Sequence, residues 1–267
     1  MTQAPVPNAD LAALAAIAEA AGRAILEVRR NGFDVAYKDD HSPLTRADTA
    51  AHEVILRGLG QAFPGVPVLS EEGADLPFAE RGRWDRLFIV DPLDGTKEFV
   101  KDNGEFCVCV ALAEGGFPAL GAVHVPLWGK TYVGGLGLGA YRRGASAQGI
   151  GPWQRIHARQ PDSAGLVVLA SRSHPSPDIE AYLAGKNVRE RITAGSALKF
   201  CLVAEGKADL YPRFNPTREW DTAAGQAVLE GAGGSVLRLV DGRPGPRLPV
   251  NKPDLFNGPF LASAQPL

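Results

Sequence analysis

The sequence is poor in cysteine, which argues against a disulfide framework and against a cysteine-based zinc site. Its 267 residues include three cysteines, which neither pair evenly nor supply a set of zinc ligands. Cys107 and Cys109 lie in an apolar run, and their i, i+2 spacing places both on the same face of a predicted strand. We interpret the cysteines as small core residues of a protein in a reducing cytoplasm.

The sequence also has no excess of one charge and no long hydrophobic run. Its net charge is −2 and its pI is near 6.2, and it has no local basic patch for a nucleic acid polymer or a membrane surface. No run of about 18 apolar residues occurs, and the N-terminus lacks the regions of a signal peptide. We expect a soluble, cytoplasmic protein with a small-molecule partner, either a monomer or a homodimer; a peripheral position at the inner membrane stays open.

The hydrophobic content of 45% is enough for one large domain or two small ones with a buried core. Residues 1–150 are expected to form an N-terminal α+β part, in which two helices pack on an antiparallel sheet, with a polar loop over 39–43. The predicted helices are 10–30 and a segment from Thr45 or Asp48 to Gly58. The predicted strands are 66–69, 87–90, 106–114, 119–125, 131–134 and 140–143.

Residues 151–267 alternate between strand and helix patterns, which predicts a C-terminal α/β part with a layered, partly parallel sheet. The predicted strands are 166–170, 188–192, 208–211 and 235–239, and the predicted helices are 177–184, 195–205 and 220–231. The chain has no segment long enough to be a linker between independent domains. We therefore expect one compact catalytic unit.

The stretch DPLDGT, residues 91–96, follows an apolar run and places two acids three positions apart at the predicted end of a buried strand. Pro92 cannot donate a ladder hydrogen bond, so the strand is expected to stop at Asp91 and to leave the carbonyl of Leu93 facing inward. Gly95 allows the backbone to approach an anion, and its amide and the next two form a donor pocket. The combination indicates a metal site beside a phosphate site, although a plain Asp-Gly turn explains the same residues.

Several other polar positions have an ordinary structural explanation beside a functional one. Asp48 and Asp221 lie at predicted helix starts, where a carboxylate can cap the helix. The alternative is a functional role, which for Asp221 is to face the acids of DPLDGT instead. Glu71 follows a strand in a turn where adjacent glutamates are usually solvated. Ser196 follows Gly195 at another predicted helix start, where it either caps the helix or belongs to a site whose amides meet a polar substrate group.

The string DPLDGTKEF, residues 91–99, resembles the signature of the inositol monophosphatase superfamily, in the form found in 3'(2'),5'-bisphosphate nucleotidases of the CysQ type. Inositol monophosphatases usually read DGTTNF at this place and fructose-1,6-bisphosphatases read DGSSN, so the residues KE after DGT point to the nucleotidases. Nearly the whole chain carries further motifs in the family's order: SPLTRAD around Asp48, LSEEG around Glu71, AGSALKFCLVAEGKADLYPRF around Ser196 and EWDTAAGQAVLEGAGG around Asp221.

The resemblance implies the layered αβαβα fold of the sugar phosphatases, with the active site in the cleft between an antiparallel sheet and a smaller mixed sheet. It also implies two or three Mg²⁺ ions as cofactors and sensitivity to Li⁺. In the family's pattern, one ion takes ligands from Glu71, Asp91 and the carbonyl of Leu93. A second ion takes ligands from Asp91, Asp94 and Asp221, so that Asp91 bridges the two ions.

By the same resemblance, the Thr96 hydroxyl orients the attacking water and gives its own proton to Asp48, while Glu71 accepts the proton of the water. The amides of Gly95 and Thr96 cradle the phosphate. The residues expected to act in catalysis are Asp48, Glu71, Asp94 and Thr96. The residues expected to contact the substrate are Leu93, Asp94, Gly95, Thr96, Gly195, Ser196, Arg213 and Asp221.

The implied function is Mg²⁺-dependent hydrolysis of the 3'-phosphate of adenosine 3',5'-bisphosphate to AMP and phosphate, in sulfur assimilation. Arg213 and Lys199 are the basic residues that could lie near the rest of such a nucleotide bisphosphate, although a surface position is the better prediction for Lys199. An inositol-1-phosphate or histidinol-phosphate phosphatase on the same scaffold is an alternative. A regulatory protein that binds metal and nucleotide without catalysis is another, and the presence of all the expected ligands argues against it.

Overall fold

The structure is a computed structural model that describes residues 6–37, 43–146, 149–160, 162–171 and 176–265. The loop predicted over 39–43 lies outside these residues, except for residue 43. The helices are α1 (Ala9–Asn31), α2 (Arg46–Ala62), α3 (Phe78–Arg81), α4 (Thr96–Val100), α5 (Pro177–Leu183), α6 (Leu198–Ala204) and α7 (Ala223–Gly231), and a 3-10 helix spans Pro126–Trp128. The strands are β1 (Val35–Tyr37), β2 (Pro43–Thr45), β3 (Val68–Ser70), β4 (Arg86–Asp94), β5 (Cys107–Glu114), β6 (Phe117–Val125), β7 (Lys130–Gly135), β8 (Gly139–Arg143), β9 (Ala145–Ser146), β10 (Gly149–Ile150), β11 (Gln154–Ile156), β12 (Leu166–Ser171), β13 (Val188–Ala194), β14 (Leu210–Arg213), β15 (Thr217–Arg218), β16 (Ser235–Val240), β17 (Arg243–Arg247), β18 (Phe256–Asn257) and β19 (Phe260–Ser263).

Seven strands form the larger sheet in the order β11-β8-β7-β6-β5-β4-β3. Within this sheet, neighbouring strands are antiparallel from β4 through β8 and on to β11, as predicted for the meander. Strand β3 runs parallel to β4. Side chains of β5 alternate between the two faces of this sheet. Val108 and Val110 pack beneath α1 and α2, while Cys107 and Cys109 share the opposite face, as their spacing predicts.

Six strands form the smaller sheet in the order β13-β12-β14-β19-β16-β17. Strand β12 runs parallel to β13 and β14, and the other pairs are antiparallel, so this sheet is mixed. Helices α6 and α7 fill the space between the two sheets, and α5 covers the outer face of the smaller one. With α1 and α2 on the outer face of the larger sheet, these layers confirm the expected αβαβα architecture.

The two N-terminal helices begin with side-chain caps. The Asn8 side chain accepts the N–H of Leu11 at 2.9 Å at the start of α1. At the start of α2, Thr45 and Asp48 form a reciprocal capping box. Helix α2 runs past the predicted end near Gly58 to Ala62, because Leu59 is still buried against the sheet.

The boundary expected near residue 150 falls between β10 and β11. Strand β11 still pairs with β8 and so extends the larger sheet. Helix α7, from the C-terminal half of the chain, packs against β5, β6 and β7 of that sheet. Both halves of the sequence therefore contribute to one shared core. No helix among the described residues is long and apolar enough to cross a membrane.

Among the strands of the two main sheets, β11, β17 and β19 are absent from the predicted elements. Strand β19 is a run of four buried residues in the middle of the smaller sheet, and so short an apolar run has no periodicity that distinguishes it from a helix. Strand β17 contains Pro244 and Pro246, which normally argue against a strand. It lies at the edge of the sheet, where proline is tolerated.

The prediction that the strand before DPLDGT stops at Asp91 is wrong. Strand β4 continues to Asp94, and its register against β5 shifts on the way, since Asp91 pairs with Cys109 and Asp94 with Cys107. Three steps along β4 therefore match two steps along β5, which defines a β-bulge. Pro92 lies within the bulge, where a missing N–H removes no regular ladder bond.

The packing of α6 on α7 makes a stability prediction at Gly225. A Cβ at this position would lie 2.6–2.8 Å from side-chain atoms of Phe200, and overpacking of this kind costs about 1–3 kcal/mol. We expect Gly225→Ala to lower the free energy of unfolding, even though alanine is favoured over glycine within a helix by about 1 kcal/mol.

Gly60→Ala in α2 is the matched control, because a Cβ at Gly60 would meet no atom within 4 Å. This variant should raise the free energy of unfolding by about 0.5–1 kcal/mol. Urea unfolding followed by circular dichroism measures both changes. If Gly225→Ala is stabilised as much as Gly60→Ala, the packing of α6 on α7 is looser than described.

Candidate active site

The predicted site residues meet in a cavity of about 240 Å³ whose wall has contributions from both sheets. The wall is formed by the turn after β3, the end of β4 with α4, the segment before α6, the end of β14 and the segment before α7. The predicted residues that line it are Glu71, Asp91, Leu93, Asp94, Gly95, Thr96, Gly195, Ser196, Arg213 and Asp221. Asp48 contacts the site through Thr96.

Asp91, Asp94 and Asp221 form a carboxylate cluster, in which one oxygen from each residue lies within 4.8 Å of the others. Residues 91 and 94 of a regular strand would point to opposite faces, because their spacing is odd. The bulge in β4 inserts the one extra residue that returns both side chains to the same face. The cluster therefore depends on the bulge.

Asp221 does not cap helix α7, although its position near a predicted helix start allows that role. The helix begins at Ala223, with Thr222 as its N-cap residue. A carboxylate oxygen of Asp221 instead accepts the backbone N–H of Arg218 at 2.9 Å. The side chain is thus held within the segment before the helix, next to the two carboxylates of β4.

Burial and mutual repulsion raise the pKa of all three carboxyl groups. Desolvation is the largest cause in each case, and the charges of neighbouring carboxylates add to it. The pKa of Asp94 rises to about 7 despite the opposing effect of the Lys199 ammonium, and that of Asp221 rises to about 8. The pKa of Asp91 lies well above its usual range. The cluster can ionise fully at neutral pH when a cation compensates the charge.

Glu71 and the carbonyl of Leu93 lie beside this cluster. The N–H of Glu71 donates to the carbonyl of Val90 at 3.1 Å, which fixes the turn after β3 against β4. The charge of Glu71 adds to burial in raising the pKa of Asp91. The N–H of Leu93 donates to Asp91 at 3.0 Å, and its carbonyl accepts the Thr96 hydroxyl at 3.3 Å. The group within 4.8 Å contains the three aspartates and not Glu71.

Asp48 is both a capping residue and a partner of Thr96. One of its oxygens accepts the N–H and the hydroxyl of Thr45, each at 2.8 Å, in the capping box of α2. The other oxygen lies 3.3 Å from the Thr96 hydroxyl. Burial raises the pKa of the Asp48 carboxyl, and the hydrogen bonds from Thr45 oppose this shift. Asp48 therefore caps α2 with one oxygen and contacts Thr96 with the other.

Ser196 and Gly195 make internal hydrogen bonds. The Ser196 hydroxyl lies 2.7 Å from the carbonyl oxygen of Glu105 and 2.9 Å from that of Asp94. Gly95 has a φ of 92°, and a Cβ there would come within 2.1 Å of the Ser196 Oγ, so this position requires glycine. The Gly195 N–H donates to the Glu105 carboxylate at 2.7 Å. The expected substrate donor at Gly195 is thus already engaged, by a residue that no sequence motif indicates.

Lys199 is buried, so the surface position predicted for it is wrong. Its side chain is 4% exposed, and its ammonium donates to the carbonyl of Ser196 at 2.6 Å. Burial lowers its pKa to about 8, so it is still mostly charged at neutral pH. Arg213 is also buried, and its Nε donates to the carbonyl of Asn215 at 3.0 Å. Both cations line the cavity that contains the carboxylates, and the apolar neighbours of Lys199 are the sequence signal of its burial.

The chemistry of the donor set fits a hard divalent cation. The cluster offers carboxylate oxygens, and a backbone carbonyl lies beside them at Leu93. Mg²⁺ prefers such oxygen ligands over sulfur or nitrogen. A cation also relieves the repulsion that raises the pKa of the three aspartates. The site is therefore suited to metal binding.

Sequence comparison identifies relatives along most of the chain. A model of the Inositol monophosphatase family matches residues 8–265. The chain is 47% identical over 223 residues to the 3'(2'),5'-bisphosphate nucleotidase CysQ of Escherichia coli K12, which covers 82% of this chain and 87% of that protein. It is 38% identical over 250 residues to the CysQ nucleotidase of Buchnera aphidicola, covering 93% of this chain and 91% of the relative.

Solved structures give the same assignment. The crystal structure of CysQ from Bacteroides thetaiotaomicron, a bacterial member of the inositol monophosphatase family, matches with a TM-score of 0.81 and 40% identity, over 97% of this chain and 98% of that one. An IMPase of Thermotoga maritima has the same fold, with a TM-score of 0.73 at 24% identity over 96% of this chain and 91% of that one. Because sequence and fold agree over nearly its full length, the chain belongs to the inositol monophosphatase family.

Proposed function

We propose that the protein is a Mg²⁺-dependent 3'(2'),5'-bisphosphate nucleotidase, which hydrolyses the 3'-phosphate of adenosine 3',5'-bisphosphate to AMP and phosphate. The observation that carries this proposal is the cluster of Asp91, Asp94 and Asp221 in one cavity with the buried cations Lys199 and Arg213. The 47% identity to a CysQ nucleotidase supports this substrate class. Such an enzyme would recycle the bisphosphate in sulfur assimilation, in the cytoplasm.

The groups that would hold two or three Mg²⁺ ions are four of the acids at the cavity wall and the carbonyl of Leu93; the acids are Glu71, Asp91, Asp94 and Asp221. When bound, Mg²⁺ supplies the positive charge that this acid cluster lacks and the Lewis acidity that assists attack on a phosphate ester. Asp91 is the candidate for the bridging ligand, since the charges of Glu71, Asp94 and Asp221 all act on its pKa in addition to burial.

Thr96 is the residue we assign to orienting the attacking water. Its hydroxyl proton has two acceptors, Asp48 Oδ1 and the carbonyl of Leu93, each at 3.3 Å. With its proton directed to one of these, the Thr96 oxygen can accept a hydrogen bond from water. Thr45 keeps Asp48 in place by donating to the other oxygen. Glu71, at the same wall, is the acceptor for the proton that the water loses.

The phosphate and the rest of the substrate would use different parts of the cavity. The amides of Gly95 and Thr96, where β4 turns into α4, are the donors we assign to the phosphate that is cleaved. Lys199 and Arg213 would attract the second phosphate of a nucleotide bisphosphate. Attack by water on phosphorus breaks the bond to the 3'-oxygen and releases phosphate and AMP.

Each of the two alternative functions would leave some residues of the cavity without a role. An inositol-1-phosphate or histidinol-phosphate phosphatase would use the same acids, but its substrate offers no second phosphate to Lys199 and Arg213. A regulatory protein without catalysis would not need Thr96 between Asp48 and the cavity. The nucleotidase uses all of these groups.

Metal dependence is the first test. Chelator should abolish phosphate release, and Mg²⁺ but not Ca²⁺ should restore it, because Ca²⁺ favours larger and more variable coordination. Asp91→Asn removes the central charge without changing side-chain size, and we expect it to lose almost all turnover while remaining folded. Phosphate release and circular dichroism measure the two properties.

Asp241→Asn is the matched control for this substitution. Asp241 lies in the turn between β16 and β17 with a φ of 49°, a conformation that asparagine also tolerates. Turnover of this variant should equal that of the parent. Full activity in chelator, or near-normal turnover of Asp91→Asn, would contradict the metal assignment.

The effect of pH on stability gives a second test that needs no substrate. The pKa of Asp94 rises to about 7 and that of Asp221 to about 8 in the fold, chiefly through burial, from about 3.9 in an unfolded chain. A group whose pKa is raised by folding stabilises the fold at low pH, and this contribution is lost as the pH rises through the folded pKa. The metal-free protein should therefore lose stability between about pH 4 and pH 8.

Bound Mg²⁺ should remove this loss, so the gain in Tm from Mg²⁺ relative to chelator should grow as the pH rises. Asp221→Asn should reduce the growth, since it removes one of the titrating groups, whereas Asp241→Asn should not. Thermal unfolding across this pH range measures the gain. A gain in Tm that is constant or decreasing with pH would show that the cluster is not the site of Mg²⁺ binding.

Substrate preference is the third test. A second phosphate that meets an arginine gains a charge-assisted hydrogen bond of about 1.5–3 kcal/mol, or about ten- to a hundredfold in discrimination. We expect kcat/KM for adenosine 3',5'-bisphosphate to exceed that for inositol-1-phosphate, which has no second phosphate, by at least about tenfold. We expect the same lead over fructose-1,6-bisphosphate, where it must come from the different placement of the second phosphate relative to the first. Phosphate release from one purified sample with Mg²⁺ gives all three values.

Arg213→Ala should narrow this gap mainly by weakening hydrolysis of the nucleotide. Arg189→Ala is its control, because Arg189 is an exposed residue of β13 that pairs with Asp162. Equal or reversed preference in the parent would favour the inositol phosphatase. Release from none of the three substrates would favour the regulatory protein.

A further inference from the structure

A buried polar network surrounds the short segment that carries Asp221. Glu219, two residues before Asp221, is 0% exposed, and Asn257 is also buried. A carboxylate in such a place is costly unless charged and polar partners satisfy it. The partners of Glu219 come from a distant part of the chain, residues 249–257, which leads to the last strand of the smaller sheet.

Both oxygens of Glu219 are engaged. One accepts the backbone N–H of Asn251 at 2.5 Å. The other accepts the backbone N–H of Lys252 at 2.8 Å and its ammonium at 2.6 Å. The ion pair between Glu219 and Lys252 is therefore combined with two backbone hydrogen bonds, an arrangement that fixes both partners in direction as well as in distance.

Lys252 and Asn257 extend the contacts to both sides of Asp221. The Lys252 ammonium donates to the carbonyl of Pro249 at 3.1 Å and to the side-chain oxygen of Asn257 at 2.9 Å, so all three of its protons have acceptors. The Asn257 amide in turn donates to the carbonyl of Arg218 at 3.2 Å and to the Thr222 hydroxyl at 2.9 Å. Residues 218, 219 and 222 are thus all hydrogen-bonded to the pair of Lys252 and Asn257.

The network also connects to α3, the short helix that follows the turn of Glu71 in the chain. The side chain of Asn251 accepts from the Arg81 guanidinium at 2.8 Å and donates to the Arg81 carbonyl at 2.9 Å. Arg81 is buried at the end of α3, which follows the turn that contains Glu71. Its other guanidinium bonds go to the carbonyls of Leu76 and Pro253. One set of hydrogen bonds therefore joins the segment before α7 to α3, which follows the turn of Glu71 in the chain.

We propose that Glu219, Lys252 and Asn257 are positioning residues that hold Asp221 in the carboxylate cluster and so set the affinity of the site for a divalent cation. The inference rests on the proposed metal-dependent function. Repulsion from Asp91 and Asp94 acts to move the Asp221 carboxylate out of the cluster. Anchoring the backbone on both sides of Asp221 opposes that movement before the cation binds, which is preorganisation of the ligand set.

A purely structural role is the competing explanation, since buried ion pairs occur elsewhere in this chain. Glu230, at the other end of α7, offers the matched case: it is buried, pairs with Arg247 and accepts a hydrogen bond from Gln226. Glu219→Gln and Glu230→Gln make the same chemical change in a buried, paired glutamate. They differ in that the first residue adjoins the segment of Asp221.

The experiment measures binding of Mn²⁺, as a paramagnetic probe for the Mg²⁺ site, to the full chain by electron paramagnetic resonance. We expect Glu219→Gln and Asn257→Ala to raise the Kd for Mn²⁺ by about tenfold or more, as loss of the contacts that orient a metal ligand typically does. Glu230→Gln should leave the Kd within about twofold of the parent, although it lowers Tm. In phosphate release, the first two variants should need more Mg²⁺ for half-maximal turnover and recover most of kcat at saturating Mg²⁺.

The outcomes separate this inference from the proposed function. If the parent binds no Mn²⁺, the proposed metal site itself is wrong. If the parent binds Mn²⁺ and the folded Glu219→Gln and Asn257→Ala variants bind it equally well, the network is structural and the inference fails. If Glu219→Gln does not fold, Asn257→Ala decides, because it leaves the ion pair in place. If neither folds, the network serves the fold and not the metal site, and the inference is overturned.

Discussion

The repulsion among three buried carboxylates is the constraint on which the rest of the site depends. One oxygen each from Asp91, Asp94 and Asp221 lies within 4.8 Å of the others, and two ionised groups at such a distance repel by roughly 3 kcal/mol at an effective dielectric constant near 20. Burial adds a desolvation cost to every ionised member. The aspartates stay together because the packed strands and helices that carry them hold them in place. A cation that binds there compensates the repulsion between the ionised carboxylates.

The fold supplies this restraint from two directions. Strand β4 carries Asp91 and Asp94 and pairs with β3 and β5 within the larger sheet, so neither aspartate can retreat without breaking ladder hydrogen bonds. Asp221 comes from the segment before α7, and this helix is packed between the two sheets. The layered architecture is therefore what brings the two acids of one strand to the third acid from the other half of the chain.

Features that depend on local residue patterns can be predicted from the sequence. The helices α1 and α2 and the strands β3 to β8 of the larger sheet follow from residue patterns, and the family motifs indicate the acids. The bulge in β4 is not predictable in this way, because it is defined by register against β5: Pro92 suggests a strand end, and only the pairing of Asp94 with Cys107 reveals that the strand continues. The hydrogen bonds of Glu105 are equally non-local, since their partners Gly195 and Ser196 lie far away along the chain. The burial of Lys199, by contrast, has a local signal in its apolar neighbours.

The cavity contains two sets of groups with opposite charge, the acid cluster and the cations Lys199 and Arg213. Under the proposed function, the acids would hold the metal ions next to the phosphate that is cleaved, and Lys199 and Arg213 would bind a second anionic group of the substrate. A pKa of about 8, lowered by burial, leaves Lys199 charged at neutral pH, and its charge opposes the rise in the pKa of Asp94. We therefore expect a substitution at Arg213 to change which substrates are attracted without removing a metal ligand, whereas a substitution at Lys199 would also change the pKa of Asp94. The Thermotoga maritima IMPase, which has the same fold at 24% identity, shows that the fold itself tolerates wide sequence change.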